Sequence, residues 1–314
     1  MILFSAKISD KHQEKLKQQF PEQHFVFSNA NELEKYIPDA EVFVTYGDDV
    51  TTELVTAGKK LKWIASLSAG VEGSPFQLIK EKEILFTNAR GIHKIQMAEY
   101  AISMLLQVYR QSNVVRTNEI NHKWDKTVRM QEITGKTMLI AGTGAIGGEV
   151  ARLAKAFQMN TIGISRSGRK VEYFDENHSI DELDSILPSV DFVVSVLPST
   201  DETKGIFAYK QFKALPNHAV FLNMGRGDAV IDEDLLQAIN ESEIAHAVLD
   251  VFNEEPLSAD HIFWEQEKIT VTPHISAMSP NYVPRALDIF TANLNTYIKG
   301  EGEYINVIDL NRGY

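Results

Sequence analysis

The chain has no cysteine, which excludes disulfide staples, thiolate metal ligands and a cysteine nucleophile. It also lacks low-complexity tracts and any obvious internal repeat. No apolar run approaches the roughly 20 residues needed to span a bilayer. The opening Met1-Ile2-Leu3-Phe4-Ser5-Ala6 meets charge at Lys7 and Asp10, so it reads as a first strand and not as a signal peptide. Cationic side chains are in deficit: 31 Lys and Arg against 43 Asp and Glu leave a net charge of -12. That balance argues against nucleic-acid and anionic-membrane partners, although a small anion needs only a local positive site. A cytoplasmic protein is expected. Its 314 residues leave room for two domains, each with its own core.

What is present is organised around Thr137-Met138-Leu139-Ile140-Ala141-Gly142-Thr143-Gly144-Ala145-Ile146-Gly147. A short apolar run ends at a Gly-x-Gly-x-x-Gly, and helical periodicity follows through Val150, Ala151, Leu153, Ala154 and Phe157. In a dinucleotide-binding turn Gly142 allows the bend, Gly144 removes the Cβ that would bar a pyrophosphate, and Gly147 lets helix and strand pack closely. The helix then presents free N–H groups and its positive dipole end to the phosphates. A second strand at 161–165 completes the pattern.

Upstream, candidate strands at Ile2–Phe4, Phe25–Phe27, Val42–Thr45, Trp63–Ser66 and Ile84–Thr87 alternate with helices at about 10–19, 30–36, 51–57 and 74–80. The alternation predicts a parallel sheet with helical crossovers, a smaller α/β domain of its own. One long helix is expected from His93 to about Asn118, its apolar stripe broad enough for a domain junction, a subunit interface or an ordinary core. Strands are expected at 137–141, 161–165, 191–196, 219–223, 246–250 and 269–272, with Asp232 as the N-cap of a helix. A last helix from about Ser279 to Lys299 is expected to cross back to the first domain. The expected fold is therefore α/β, with two Rossmann-like domains built on doubly wound parallel sheets. The domains are 1–92 plus 280–314 and 93–279, the small one made from both chain ends. Asn88–His93 and Ser276–Pro280 are the hinge candidates for closure on ligands.

Three polar residues fall in loops after late strands, where open α/β sheets bind ligands. Arg226 lies between Gly225 and Gly227, Glu255 precedes Pro256, and His274 follows Val271-Thr272-Pro273. Read singly, these are a turn arginine, a solvated acid and a structural histidine. Together they offer a cation for a carboxylate, an acid/base, and a carboxylate to orient and charge that base. Cofactor choice is read at the end of the second strand. An NAD-preferring domain places an acid there for the ribose 2′-OH, but this chain has Ser165, followed by Arg166, Ser167, Arg169 and Lys170. A hydroxyl and guanidinium suit a 2′-phosphate, so NADPH is expected over NADH.

These stretches together resemble the D-isomer-specific 2-hydroxyacid dehydrogenase family over essentially the whole chain. The likeness rests on Gly142 to Gly147, Leu197-Pro198 with Thr203, Asn223-Met224-Gly225-Arg226-Gly227, Leu249 to Pro256, and Thr272-Pro273-His274-Ile275. Ser68-Ala69-Gly70-Val71-Glu72 is similar to the family's substrate-carboxylate loop, and Asn88 to Glu99 to its hinge and helix start. Ser165-Arg166-Ser167 and the terminal Asn311-Arg312-Gly313-Tyr314 resemble the glyoxylate/hydroxypyruvate reductase branch. The resemblance implies that Arg226 and the backbone of Ala69, Gly70 and Val71 bind the carboxylate and carbonyl of a 2-oxo acid. Protonated His274 would give its proton to the carbonyl oxygen as hydride arrives, with Glu255 steadying the imidazolium and no metal needed. It further assigns Asp250 to the nicotinamide carboxamide, and Ala145, Ile146, Leu197, Pro198, Thr203, Met224, Gly225 and Ser276 to the cofactor. A homodimer built on the nucleotide domain is implied as well. The chain departs from the family in lacking its usual glycine at 275–279 and in carrying Glu72 for an aspartate. These departures bear on substrate identity. An NAD-linked enzyme for a bulkier or phosphorylated acid, of the phosphoglycerate dehydrogenase kind, is the alternative, less favoured because no extra C-terminal regulatory domain is seen. A cofactor-sensing module without turnover is another class on the same fold.

Overall fold

Five short strands, β1 (Ile2–Phe4), β2 (Phe25–Phe27), β3 (Val42–Thr45), β4 (Trp63–Ser66) and β5 (Leu85–Thr87), pair in parallel in the order β2-β1-β3-β4-β5. Successive strand residues point to opposite faces, and both faces here are apolar. Phe4, Val44 and Trp63 fill one side, while Leu3, Phe43 and Ile64 fill the other. Helices must cover both faces of such a sheet, and one of them comes from the far end of the chain. In the helix Tyr282–Lys299, Phe290 stacks on Trp63 at 5.5 Å and meets Phe4 edge-on at 5.4 Å. That helix stops at Gly300, whose φ of 68° supplies the left-handed cap. The computed structural model describes residues 1–71 and 73–311, so Glu72 and the terminal Arg312-Gly313-Tyr314 lie outside the described residues. The chain forms two units, Met1–Ile92 with the stretch from Ser279 onward, and His93–Met278.

The second unit carries seven parallel strands: β6 (Thr137–Ala141), β7 (Asn160–Ser165), β8 (Glu176–Ser179), β9 (Phe192–Ser195), β10 (Val220–Asn223), β11 (His246–Leu249) and β12 (Ile269–Val271). Their order is β12-β11-β10-β9-β6-β7-β8. It reverses between β6 and β9, which opens a crevice at the carboxyl ends of those two strands. Leu139, Val193, Phe221 and Leu249 pack on one face; Met138, Ile140, Phe192, Val194 and Val248 pack on the other. Over the second face lie the helices Lys94–Tyr109 and Ala145–Ala156, where Ala98, Ala101, Val150, Ala151 and Ala154 are fully buried. No helix among the described residues is long and apolar enough to cross a membrane.

Three local expectations need correction. The long helix does not run to Asn118: it ends at Tyr109, Gln111 turns left-handed at φ 53°, and a separate helix covers Ser112–Ile120. Strand β8 was not expected, because its Glu-Asn-His-Ser sequence is polar and it lies at the sheet edge. Asp232 is not the N-cap. It is the first helical residue after Ile231, and its carboxylate accepts from Asn253 Nδ2 at 3.0 Å.

Candidate active site

The glycine turn lies at the strand-order reversal. Gly142 has φ 104°, and a Cβ there would come within 3.0 Å of the Val196 carbonyl at the end of β9. A Cβ on Gly147 would sit 1.9 Å from Gly142 O, so helix and turn touch backbone to backbone. Gly144 differs from both: no atom of the described residues lies within 4 Å of its missing Cβ. The first intrahelical bond runs from Gly148 N to Gly144 O, 2.8 Å, leaving the N–H groups of Ala145, Ile146 and Gly147 unclaimed by the helix. Open space beside Gly144 and orphan donors at the positive end of a 12-residue helix fit a dinucleotide pyrophosphate.

Further along the crevice, Ser165 ends β7, and its Oγ is covered without a hydrogen-bond partner among the described residues. A tight turn follows, with Gly168 N donating to Ser165 O at 3.3 Å. Arg166, Ser167, Arg169 and Lys170 are exposed around it, and none of these cations is ion-paired among the described residues. Leu197 and Gly225 end neighbouring segments so closely that a Cβ on Gly225 would lie 2.6 Å from Leu197 O. Pro198 is exposed and Met224 is buried beside them. Thr203, expected toward the cofactor, spends its hydroxyl inside its own turn: it donates to Pro198 O at 2.6 Å and accepts from Thr200 N at 2.9 Å.

The three chemical residues come from three loops of the second unit. Arg226 is held extended between two glycines, and Asn223 fixes the turn, donating through Nδ2 to Arg226 O (2.9 Å) and accepting from Gly225 N (3.2 Å). Asn223 therefore builds the site through side-chain bonds that its place at a strand end does not signal. Glu255 accepts from Phe252 N through Oε1 (3.0 Å), and its Oε2 lies 2.7 Å from His274 Nδ1. A carboxylate only accepts, so Nδ1 carries the proton and Nε2 is left as the ring atom that can exchange one. Burial works to raise the Glu255 carboxyl, but the His274 ring, the Phe252 N–H and the Arg226 charge together hold it below its ordinary 4.5. It is therefore charged at neutral pH. The stability this contributes is lost only as pH falls from about 4.5 through the lowered value.

His274 itself is left-handed, with φ 51°. Its N–H is taken by Asp250 O (2.9 Å) and Thr272 O (3.0 Å). The fully buried Asp250 carboxylate accepts from Thr272 Oγ1 (2.6 Å), Ile275 N (2.9 Å) and Ser276 N (2.9 Å), so it is the hub of the histidine loop. Ser276 Oγ is buried and lacks a partner among the described residues. In the first unit, Ala69, Gly70 and Val71 follow β4; the N–H groups of these three donate to no other described residue, and Asn88 Nδ2 anchors the loop at Ala69 O (2.7 Å).

Gly227 gives a direct test of how the arginine turn is built. A Cβ there would lie 2.0 Å from the Phe252 carbonyl carbon, against rigid backbone. Gly227→Ala should cost about 1–3 kcal/mol of stability from overpacking and displace Arg226. Gly148→Ala, with nothing within 4 Å in a helix, should be neutral or stabilising by up to about 1 kcal/mol. Equal urea midpoints for the two variants would contradict this close approach.

A family model described as D-isomer specific 2-hydroxyacid dehydrogenase, NAD binding domain, matches residues 102–276, more than half of the chain. Glyoxylate/hydroxypyruvate reductase A of Serratia proteamaculans (strain 568) is 29% identical over 92% of this chain and 97% of its own. D-3-phosphoglycerate dehydrogenase of Archaeoglobus fulgidus is 30% identical over 79% of this chain, which spans 48% of that protein. The fold is similar, at TM-score 0.80 and 27% identity, to the NADPH-dependent glyoxylate/hydroxypyruvate reductase of Sinorhizobium meliloti in complex with NADP and sulfate, covering 100% of this chain and 99% of that one.

Proposed function

Because this chain belongs to the D-isomer specific 2-hydroxyacid dehydrogenase family of NAD(P)-dependent oxidoreductases, we propose that it reduces a small 2-oxo acid of the glyoxylate or hydroxypyruvate type to the D-2-hydroxy acid, with NADPH. The observation that carries this reading is the 2.7 Å His274–Glu255 pair, with Arg226 close enough to help hold Glu255 charged. Arg226 binds the substrate carboxylate, for which a guanidinium fork is suited. His274 donates its proton from Nε2 to the 2-oxo oxygen, and Glu255 stabilises the imidazolium and fixes its tautomer. The dinucleotide, when bound, supplies the hydride. Ala145, Ile146 and Gly147 would hold its pyrophosphate, Asp250 and Ser276 its nicotinamide end, and Ser165 with Arg166 its adenosine ribose.

A panel of 2-oxo acids followed by nicotinamide absorbance tests this. Glyoxylate and hydroxypyruvate should exceed 3-phosphohydroxypyruvate and branched 2-oxo acids in kcat/KM. The second reading, an NAD-linked enzyme for a phosphorylated acid, draws on the likeness to the A. fulgidus enzyme. It gains if 3-phosphohydroxypyruvate with NADH leads the panel. No turnover of any 2-oxo acid would leave the binding-module reading.

Glu255→Gln keeps the shape of the pair but removes its charge. Reduction should slow, because a neutral amide accepts from the ring more weakly and leaves the developing charge on it unbalanced. kcat should fall by roughly ten-fold or more, the size of one hydrogen bond to a charged group. A variant with the parent's kcat would count against the pair.

The proposed assembly is a homodimer through the second unit. Val114, Val115, Ile120, Trp124 and Met130 stand exposed along one stretch, Trp124 at 89%, and such apolar exposure marks an interaction surface. Sedimentation at micromolar concentration should give twice the chain mass, and Trp124→Glu with Ile120→Glu should give a monomer. A monomeric parent would overturn the assignment.

A further inference from the structure

The helix Lys94–Tyr109 grips the histidine loop at two points one turn apart. Gln96 Nε2 donates to Ala277 O at 3.1 Å, and the Tyr100 hydroxyl lies 2.7 Å from Thr272 Oγ1. The single Thr272 hydroxyl proton is given to Asp250 Oδ1 at 2.6 Å, so toward Tyr100 this oxygen accepts. Burial pushes the Tyr100 phenol well above its ordinary value, which keeps it protonated and fixes it as the donor. The bonds therefore run one way, from Tyr100 to Thr272 to Asp250. Asp250 passes the constraint on: its two oxygens take the N–H groups of Ile275 and Ser276, and its carbonyl takes that of His274. His274 needs this, because a left-handed non-glycine residue is strained and persists only where its surroundings over-determine it.

We propose that Tyr100 is a positioning residue for the His274 imidazole, acting through Thr272 and Asp250 to hold the histidine backbone left-handed and its Nε2 in place. The inference rests on the reading of His274 as proton donor. Two features separate Tyr100 from an ordinary core tyrosine. Its hydroxyl is bonded to the loop at Thr272 Oγ1, and each acceptor further along the relay is itself engaged.

Tyr100→Phe keeps the ring and removes only the first bond. Since a displacement of about 1 Å in a reacting group can cost up to ~10²-fold, kcat should fall roughly ten-fold with KM for NADPH unchanged. Thr272→Val, which breaks both bonds, should fall further. The decisive readout is coupling. In a His274→Asn background, Tyr100→Phe should leave the residual kcat unchanged, whereas a general structural defect would lower both backgrounds. A measurement free of turnover accompanies it: the His274 ring resonances, identified by their loss in His274→Asn, should move in Tyr100→Phe. If the parent reduces 2-oxo acids and Tyr100→Phe matches it in kcat, the inference is overturned while the proposed function stands. If the parent reduces none, the proposed function fails, and unmoved His274 resonances would then overturn the inference by themselves.

Discussion

Replacing His274 with alanine is expected to lower kcat for 2-oxo acid reduction by about 10² to 10⁴, the range that positioned acid–base catalysis contributes. Two losses combine. The proton on Nε2 disappears, and Glu255 keeps only the Phe252 N–H where it now also engages the ring. Alanine also tolerates φ 51° poorly, so the loop contributes part of the loss. His274→Asn separates the two, because asparagine is among the side chains that enter the left-handed region most readily. Both variants should lose kcat to a similar degree while titrating NADPH fluorescence with affinity near the parent's, since the glycine turn and the Ser165 turn are untouched. A variant that turns over at the parent rate would remove His274 from the mechanism.

Cofactor preference is expected to lie with NADPH by at least about ten-fold in kcat/KM. The argument is local and runs against the chain's overall charge of -12. Ser165 stands at the end of β7, where an acid would repel a 2′-phosphate, and its hydroxyl has no bond to break before turning toward one. Arg166 and Arg169 are exposed and unpaired among the described residues, so a phosphate would not compete with a carboxylate for them. One hydrogen bond to a charged group contributes roughly 1.5–3 kcal/mol, or about 10- to 150-fold at 1.4 kcal/mol per decade. Arg166→Ala should therefore raise KM for NADPH by about that factor and leave NADH almost unaffected. Ser165→Asp should reverse the preference. Equal kcat/KM for the two cofactors in the parent would refute the assignment of this turn.

Much of this was legible in the sequence because the features concerned are local. The apolar runs of β1, β3, β4, β6, β9 and β10 are buried on both faces, so composition alone marked them. Gly142, Gly144 and Gly147 have different surroundings, and their spacing told the three apart. Other features left no local trace. Strand β8 pairs only with β7 at an edge, so its polar residues carry no alternation to read. The break at Gln111 has neither proline nor glycine, and apolar spacing runs on past it into Val114 and Val115. The Thr203 hydroxyl donates to Pro198 O at 2.6 Å within its own turn, a bond that no sequence pattern announces. The Tyr100–Thr272 bond joins residues 172 positions apart, and a tyrosine on a buried helix is otherwise unremarked.

The most direct test of the central claim is the configuration of the product. Hydroxypyruvate reduced by the parent enzyme with NADPH gives a chiral glycerate, and chiral separation of that product reports which face received hydride while His274 supplied the proton. The expected result is D-glycerate, formed mole for mole with NADPH oxidised. L-Glycerate, a racemate, or no consumption of NADPH would contradict it.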